Sequence, residues 1–541
     1  MPEQVPRKPG RPYNANPGAH APPVALLLLA LALAAVPALA LFDALIYHAA
    51  GIPEQLLRTD RGVFLLRSLA VAALIALLAT AAALPIARVL LARTTRARII
   101  LSALLITPVW LPPFMIYAAG NLLRAPDTAV GRAVINLATS DPDLRWVTIW
   151  LGYAVAIVGL ALWSAPLGAV LIAAGLGHRS AIYDDMLALE PLNPIGRALF
   201  RLRMHRAVLI RSFTLIAIVM LGSAVPLHLA QLDTWSIVIW RQLTEHPPSQ
   251  WGRVWISALP MLLIAVIGAR IITAYLSGAN AHAETGTRRP DLPRSAAIAA
   301  LLIFIAAALL PLLALAYALN DLRSIAAFWR MNAGAVRDTA ITAGAVALTT
   351  TAIALATSFA LGSPVRAHRR CARAALMILC VLGLTPGILI GAGIARHGVL
   401  TLDLPAIAPY WASLTRYAFV GAIIGALAAA SESPDRRSAR IQIAGPSPLA
   451  WSITTLPSFL APILATLPIA FLFAMFEIEA AVMVTPPGID NLPQRLLSDL
   501  HFARLENLSA AGVNLLSIGI IIAFLASWLI IRATRNPNQS N

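Results

Sequence analysis

Ionisable residues inside long apolar stretches are where this sequence could do chemistry. A charge in hydrocarbon is costly unless a partner or a water-filled cavity receives it. Glu477 and Glu479 stand in an apolar run over 458–485. Two residues apart on a helix, they point to nearly opposite sides. At most one is therefore expected to face a central pathway without the other meeting a neighbouring helix, and Glu477 is the candidate. Asp43, Arg67 and Arg211 lie near the ends of other apolar runs, where long side chains can reach the membrane surface. His228 lies near a loop and reads as an interface residue, not a metal ligand. Cys371 and Cys380 are too few for a disulfide framework and show no metal-ligand spacing. The single lysine is Lys8, and a phosphate-binding loop of the Walker type needs a lysine after glycine. Any ATP this protein uses is hydrolysed by another chain. No Ser/His, metal or paired-carboxylate constellation points to an enzyme.

The elements that hold these residues are set by composition. The chain has 541 residues, 59% of them hydrophobic and 12% charged. A soluble domain carries roughly 25% charged residues, and it needs polar surface to meet water. Apolar runs long enough to cross a bilayer, about 18 residues or more, recur along the whole sequence. Expected spans cover 23–47, 66–90, 99–120, 148–176, 208–230 and 253–276, then 295–317, 338–362, 374–395, 412–430, 458–485 and 508–531. The expectation is an all-α polytopic membrane protein of about twelve transmembrane helices. Ala38-Leu39-Ala40 resembles a signal-peptide cleavage site, but the apolar run continues past it, so the first helix is expected to be retained.

The net charge of +17 would suggest nucleic acid on a soluble chain. Here the arginines sit in short loops between spans, where they fix orientation, and no nucleic-acid partner is expected. Alternate loops carry Arg88, Arg93, Arg96 and Arg98; Arg197, Arg201, Arg203 and Arg206; Arg366, Arg369, Arg370 and Arg373; and Arg436, Arg437 and Arg440. That pattern places both termini in the cytoplasm, consistent with an even number of spans in a bacterial inner membrane.

The chain reads as two halves, 22–285 and 286–535, between tails at 1–21 and 536–541. The third span of each runs into proline, as Trp110-Leu111-Pro112-Pro113-Phe114 and Leu384-Thr385-Pro386-Gly387-Ile388. Beyond the fifth spans, Ala224-Val225 then Asp233 match Ala481-Val482 then Asp490. Internal repeats are a common transporter device. Each half also has a longer cytoplasmic segment before its fifth span. One holds Asp185, Glu190, Pro191, Asn193 and Pro194; the other holds Gly445, Ser447, Pro448, Leu456 and Pro457. Asn193-Pro194 and Ser447-Pro448 are helix-start signals, a capping side chain followed by proline at the first helical position. Each segment is expected to form a helix, a sharp turn and a new short helix that a partner could grip in a groove.

These segments resemble the signature of the permeases of binding-protein-dependent ABC importers, in the branch handling iron(III), thiamine and similar solutes. That signature is Glu-Ala-Ala, three residues, Gly, then about a dozen residues to Leu-Pro. Gly445 falls on the glycine, Ser447-Pro448 on its usual Ser-Pro, and Leu456-Pro457 on its end, while Ala439 replaces the acidic residue. In the first half Asp185 falls on the acidic position and Asn193-Pro194 on the turn. Pro191 replaces the glycine there, and Met204 the final proline. Phe476-Glu477-Ile478-Glu479-Ala480-Ala481, leading to Pro486-Pro487-Gly488 and Leu492-Pro493, is similar to a second stretch of that family. The resemblance implies two six-helix permease halves and a translocation subunit without bound cofactor. It also implies an ABC ATPase in two copies that uses the ATP, and a periplasmic solute-binding protein. The competing expectation is an ion-coupled secondary transporter of two six-helix halves.

Overall fold

The computed structural model describes residues 21–48, 59–92, 95–126, 128–176, 187, 189, 193–278, 291–397, 407–432, 434–444, 447–486, 488–489 and 491–533. Every regular element among them is helical. Ten helices are long and apolar enough to cross a membrane: α1 Ala21–His48, α2 Thr59–Leu91, α5 Trp146–Leu176, α6 Pro194–Gly222, α7 Leu259–Gly278, α8 Arg294–Tyr317, α9 Arg323–Gly362, α12 Ile407–Ala430, α13 Leu456–Met475 and α14 Leu505–Ala533. Two bent pairs, α3 Arg96–Leu104 with α4 Pro113–Leu122 and α10 Arg366–Leu384 with α11 Gly387–His397, bring the number of spans to twelve if each pair is one. The chain is an all-α polytopic membrane protein. The expected junction of the halves near 285, both tails, Asp185, Glu190, Pro191 and Gly445 lie outside the described residues.

The two bent pairs turn by 89° and 100° at the prolines noted in the sequence. Pro112 is extended (ψ 139°) and Pro113 opens α4. Thr385 is likewise extended (ψ 138°) before Pro386. Proline removes a helical donor and pushes its predecessor out of the helical region. The runs 99–120 and 374–395, expected as single spans, are therefore each two helices.

Packing is reciprocal. α2, α5 and α6 pack on one another, as do α9, α12 and α13. α1 packs on α9, α10 and α11, whereas α8 packs on α2, α3 and α4. α7 meets α10, and α14 meets α3. The first and last helices of each predicted half thus embrace the bent span of the other. Small residues permit close approach, since lipid offers no hydrophobic drive for association. An added Cβ at Gly421 would meet Thr350 O at 2.1 Å, and one at Gly425 would meet Ala354 O at 2.3 Å, both across the α9–α12 contact.

Both fifth spans stop early. α6 ends at Gly222, and a short helix, Val225–Leu229, follows after a break. α13 ends at Met475 and is followed by Ala481–Val484. The run 458–485, expected as one helix, is thus interrupted at the two glutamates.

Candidate functional site

The helix stop at Met475 changes where the carboxylates point. In the irregular stretch after it, Glu477 and Glu479 both reach one guanidinium. Arg416 Nη1 on α12 lies 3.2 Å from Glu477 Oε1 and 2.6 Å from Glu479 Oε2. The opposite-sides expectation rested on continuous helix, and it fails because these residues are not helical. Glu477 Oε1 also accepts the Ala480 N–H at 2.7 Å, which ties the bend to the short helix beyond it. The Tyr417 hydroxyl is hydrogen-bonded to Glu477 Oε2.

The cluster joins distant parts of the chain. Glu479 Oε1 accepts the backbone N–H of Ala224 at 2.8 Å, so the break after α6 and the break after α13 meet. The third element is the α10–α11 bend. A Cβ at Gly387 would lie 1.6 Å from Arg416 Nη1, so only glycine lets the guanidinium sit there.

Beside this cluster lies a chamber of about 220 Å³. Trp163, Phe419, Phe473, Ser223, Arg416 and Glu477 are among its walls. Tyr417 stacks on Phe473 with centroids 5.6 Å apart, and Trp163 tilts against Phe473 at 6.2 Å. The walls are mostly apolar and the polar groups converge at one place, as small-molecule sites generally do. Val225 lines this chamber and also a second cavity of about 230 Å³ that includes His228, Arg241 and His501. Among the described residues no group of three His, Cys, Asp or Glu is arranged to hold a metal ion.

The helix-start signals are in place at the arginine-rich ends. Asn193 Oδ1 accepts the Gly196 N–H at 2.6 Å, and Pro194 is the first residue of α6. Ser447 Oγ accepts the Ala450 N–H at 3.0 Å, and Pro448 opens a seven-residue helix, Pro448–Thr454. The two segments then differ. After Thr454 the chain breaks, and α13 starts at Leu456-Pro457. Beyond Asn193 the described residues form no separate short helix: Met204 stands where proline would break it, and α6 runs on for 29 residues. Apolar side chains are left exposed on both: Ile195, Leu199 and Leu202 on one, Leu449 and Ile453 on the other.

The second segment is anchored by two residues that carry no motif, Glu432 and Arg440. Glu432 receives Arg440 through Nε at 2.9 Å and Nη2 at 3.0 Å, both residues being buried. Arg440 Nη2 also donates to Gly362 O at the end of α9, at 3.1 Å. Trp451 packs edge-on against Phe359, centroids 5.8 Å apart.

Three other charges also find neighbours. Asp43 pairs with Arg396 of α11, Arg211 lies 3.8 Å above the Tyr275 ring, and Arg67 lies 5.8 Å from that of Phe64. Arg416 was the signal available in the sequence: a lone cation within the 412–430 run, facing two carboxylates in another. Compared with known proteins, the chain matches no family model, no curated protein and no solved structure.

Proposed function

We propose that this chain is the transmembrane permease subunit of an ATP-driven ABC importer of the bacterial inner membrane, with both termini cytoplasmic. The observation that carries the reading is the pair of capped, proline-opened helix starts at Asn193-Pro194 and Ser447-Pro448, each with an exposed apolar row. Such rows at helical spacing suit a partner's groove. An ABC ATPase, one copy at each segment, would grip them and supply the ATP hydrolysis that this chain does not perform. The buried Glu432–Arg440 pair and its bond to Gly362 offer a rigid link from the second segment to α9. Reciprocal packing supports reading the chain as two repeated halves that rock about the central chamber, each state favoured by a different partner state. A small-molecule solute would arrive from a periplasmic binding protein.

One observation favours an ion-coupled secondary transporter instead. Intramembrane carboxylates such as Glu477 and Glu479 serve proton relays in that class. Purification of the chain with its neighbours separates the readings. Recovery of an ATPase subunit, and uptake that stops on ATP depletion, is expected. Uptake that survives ATP depletion but collapses with the proton gradient would sink the importer reading. Replacing Gly445 and Pro448, or Asp185 and Asn193, is expected to abolish transport-linked ATPase stimulation while leaving membrane insertion intact. Normal stimulation in those variants would show that the segments are not docking sites.

A further inference from the structure

The chamber offers its occupant a one-sided set of polar groups. The carboxylates are largely withdrawn: side-chain exposure is 2% for Glu477 and 7% for Glu479. Their oxygens already accept the Ala480 and Ala224 N–H groups, the Arg416 guanidinium and the Tyr417 hydroxyl. Apart from Ser223, whose hydroxyl makes no hydrogen bond among the described residues, the other polar side chains on the wall are committed as donors. Trp163 Nε1 donates to Leu111 O at 3.1 Å, Ser164 Oγ to Leu160 O at 2.8 Å, and Thr385 Oγ1 to Val381 O at 2.8 Å.

Arg416 is different. A guanidinium is a fork of five N–H donors with no acceptor, and both bonds to the carboxylates use Nη1. Nε and Nη2 make no hydrogen bond among the described residues, and at 15% the side chain is the most exposed of the three charges. The chamber therefore presents an apolar, aromatic wall with unspent donors on Arg416 and a hydroxyl on Ser223.

We propose that Arg416 is the polar recognition group for the transported solute, and that this solute is uncharged and largely apolar, presenting a hydrogen-bond acceptor such as a carbonyl oxygen. The inference rests on the chamber being the solute site of the proposed permease. Charge counting selects the uncharged class. Two carboxylates already face one guanidinium, so an anionic solute would add a third negative charge to a poorly solvated site. A cation is drawn by the surplus negative charge, but the carboxylates are withdrawn, at 2% and 7% exposure, and the more exposed guanidinium meets it first. An uncharged acceptor satisfies the free donors and adds no charge. A buried donor left unpaired is costly, which gives the site a reason to discriminate.

Calorimetric titration of the full chain in lipid nanodiscs tests this with three one-ring probes: N,N-dimethylbenzamide as uncharged acceptor, benzoate as anion and benzylammonium as cation. Binding to empty nanodiscs is subtracted. The expected result is that the amide binds at least about tenfold tighter than either ion, the scale of one hydrogen bond to a charged group. Arg416→Lys keeps a cation for both glutamates but loses the fork, and the amide preference is expected to fall by about tenfold. The triple variant Arg416→Met, Glu477→Gln, Glu479→Gln strands no charge and is expected to bind the amide about tenfold more weakly than the native chain, because the donor is gone. Tightest binding of either ion overturns the proposal. So does a preference unchanged in Arg416→Lys, or no binding above empty nanodiscs. An absent ATPase partner would overturn the importer reading without altering these titrations, and a wrong probe preference would leave ATPase coupling untouched.

Discussion

The two helix starts at the arginine-rich ends share a cap and differ in how far the helix runs beyond it. At Asn193-Pro194 the helix continues unbroken into the membrane for 29 residues. At Ser447-Pro448 it runs seven residues, breaks, and restarts at Leu456-Pro457. The difference lies largely in one residue, Met204 against Pro457. It teaches that the same capping chemistry can deliver either a rigid rod or a jointed arm. A push on Ile195 is carried along α6 directly to the break at Gly222. A push on Leu449 reaches α13 through a joint, and reaches α9 through Arg440 and Gly362.

The comparison breaks most severely at the anchor of the jointed arm. Arg440→Ala removes the bidentate partner of buried Glu432, leaves it only the Arg437 Nε contact at 3.2 Å, and is expected to cost about 3 kcal/mol. Limited proteolysis within 434–458 should then accelerate strongly, and unchanged cleavage would show that the pair anchors nothing. Next, Met204→Pro should convert the rod into a second joint at about 3 kcal/mol. Spin-label distances between positions 195 and 215 would broaden, and a single sharp distance would refute the account of Met204. Smaller effects test the shared part. Asn193→Ala and Ser447→Ala each remove one cap and are expected to cost about 1 kcal/mol. Faster amide exchange should appear at Gly196 in one variant and Ala450 in the other. A response in only one would mean that the caps are not equivalent. Finally, Leu449→Asp with Ile453→Asp, both exposed, should leave thermal stability within about 0.5 kcal/mol of wild type while abolishing ATPase stimulation. A large loss of stability would show that these side chains serve packing, not docking.

Much of the fold was legible because spans and caps are local signals. Apolar length located the spans, and Asn193 and Ser447 announced their helix starts by capping chemistry alone. The prolines at 112, 113 and 386 were visible, but not the size of the bends, which depends on the elements packed around them. The chamber was hardest to read. Extending helical periodicity through residue 485 put Glu477 and Glu479 on opposite sides, whereas Arg416 and the Ala224 N–H hold a non-helical turn that brings them together. Glu432 had no sequence signal of its own, and Gly387, visible only as part of the proline motif, matters through the guanidinium that the fold brings close.

Reciprocal packing has a consequence for how the protein is made. Besides the short helix Trp251–Ser257, α1 packs on α9, α10 and α11 of the predicted second half, and the Asp43–Arg396 pair spans 353 residues. During synthesis α1 is among the first helices to leave the ribosome, and its acidic side chain waits for a counter-charge until nearly three quarters of the chain has been translated. Assembly of the bundle must therefore close late, around the newest helices. A truncated chain ending before residue 396 would expose Asp43 and the flank of α1 to whatever quality control patrols the bilayer.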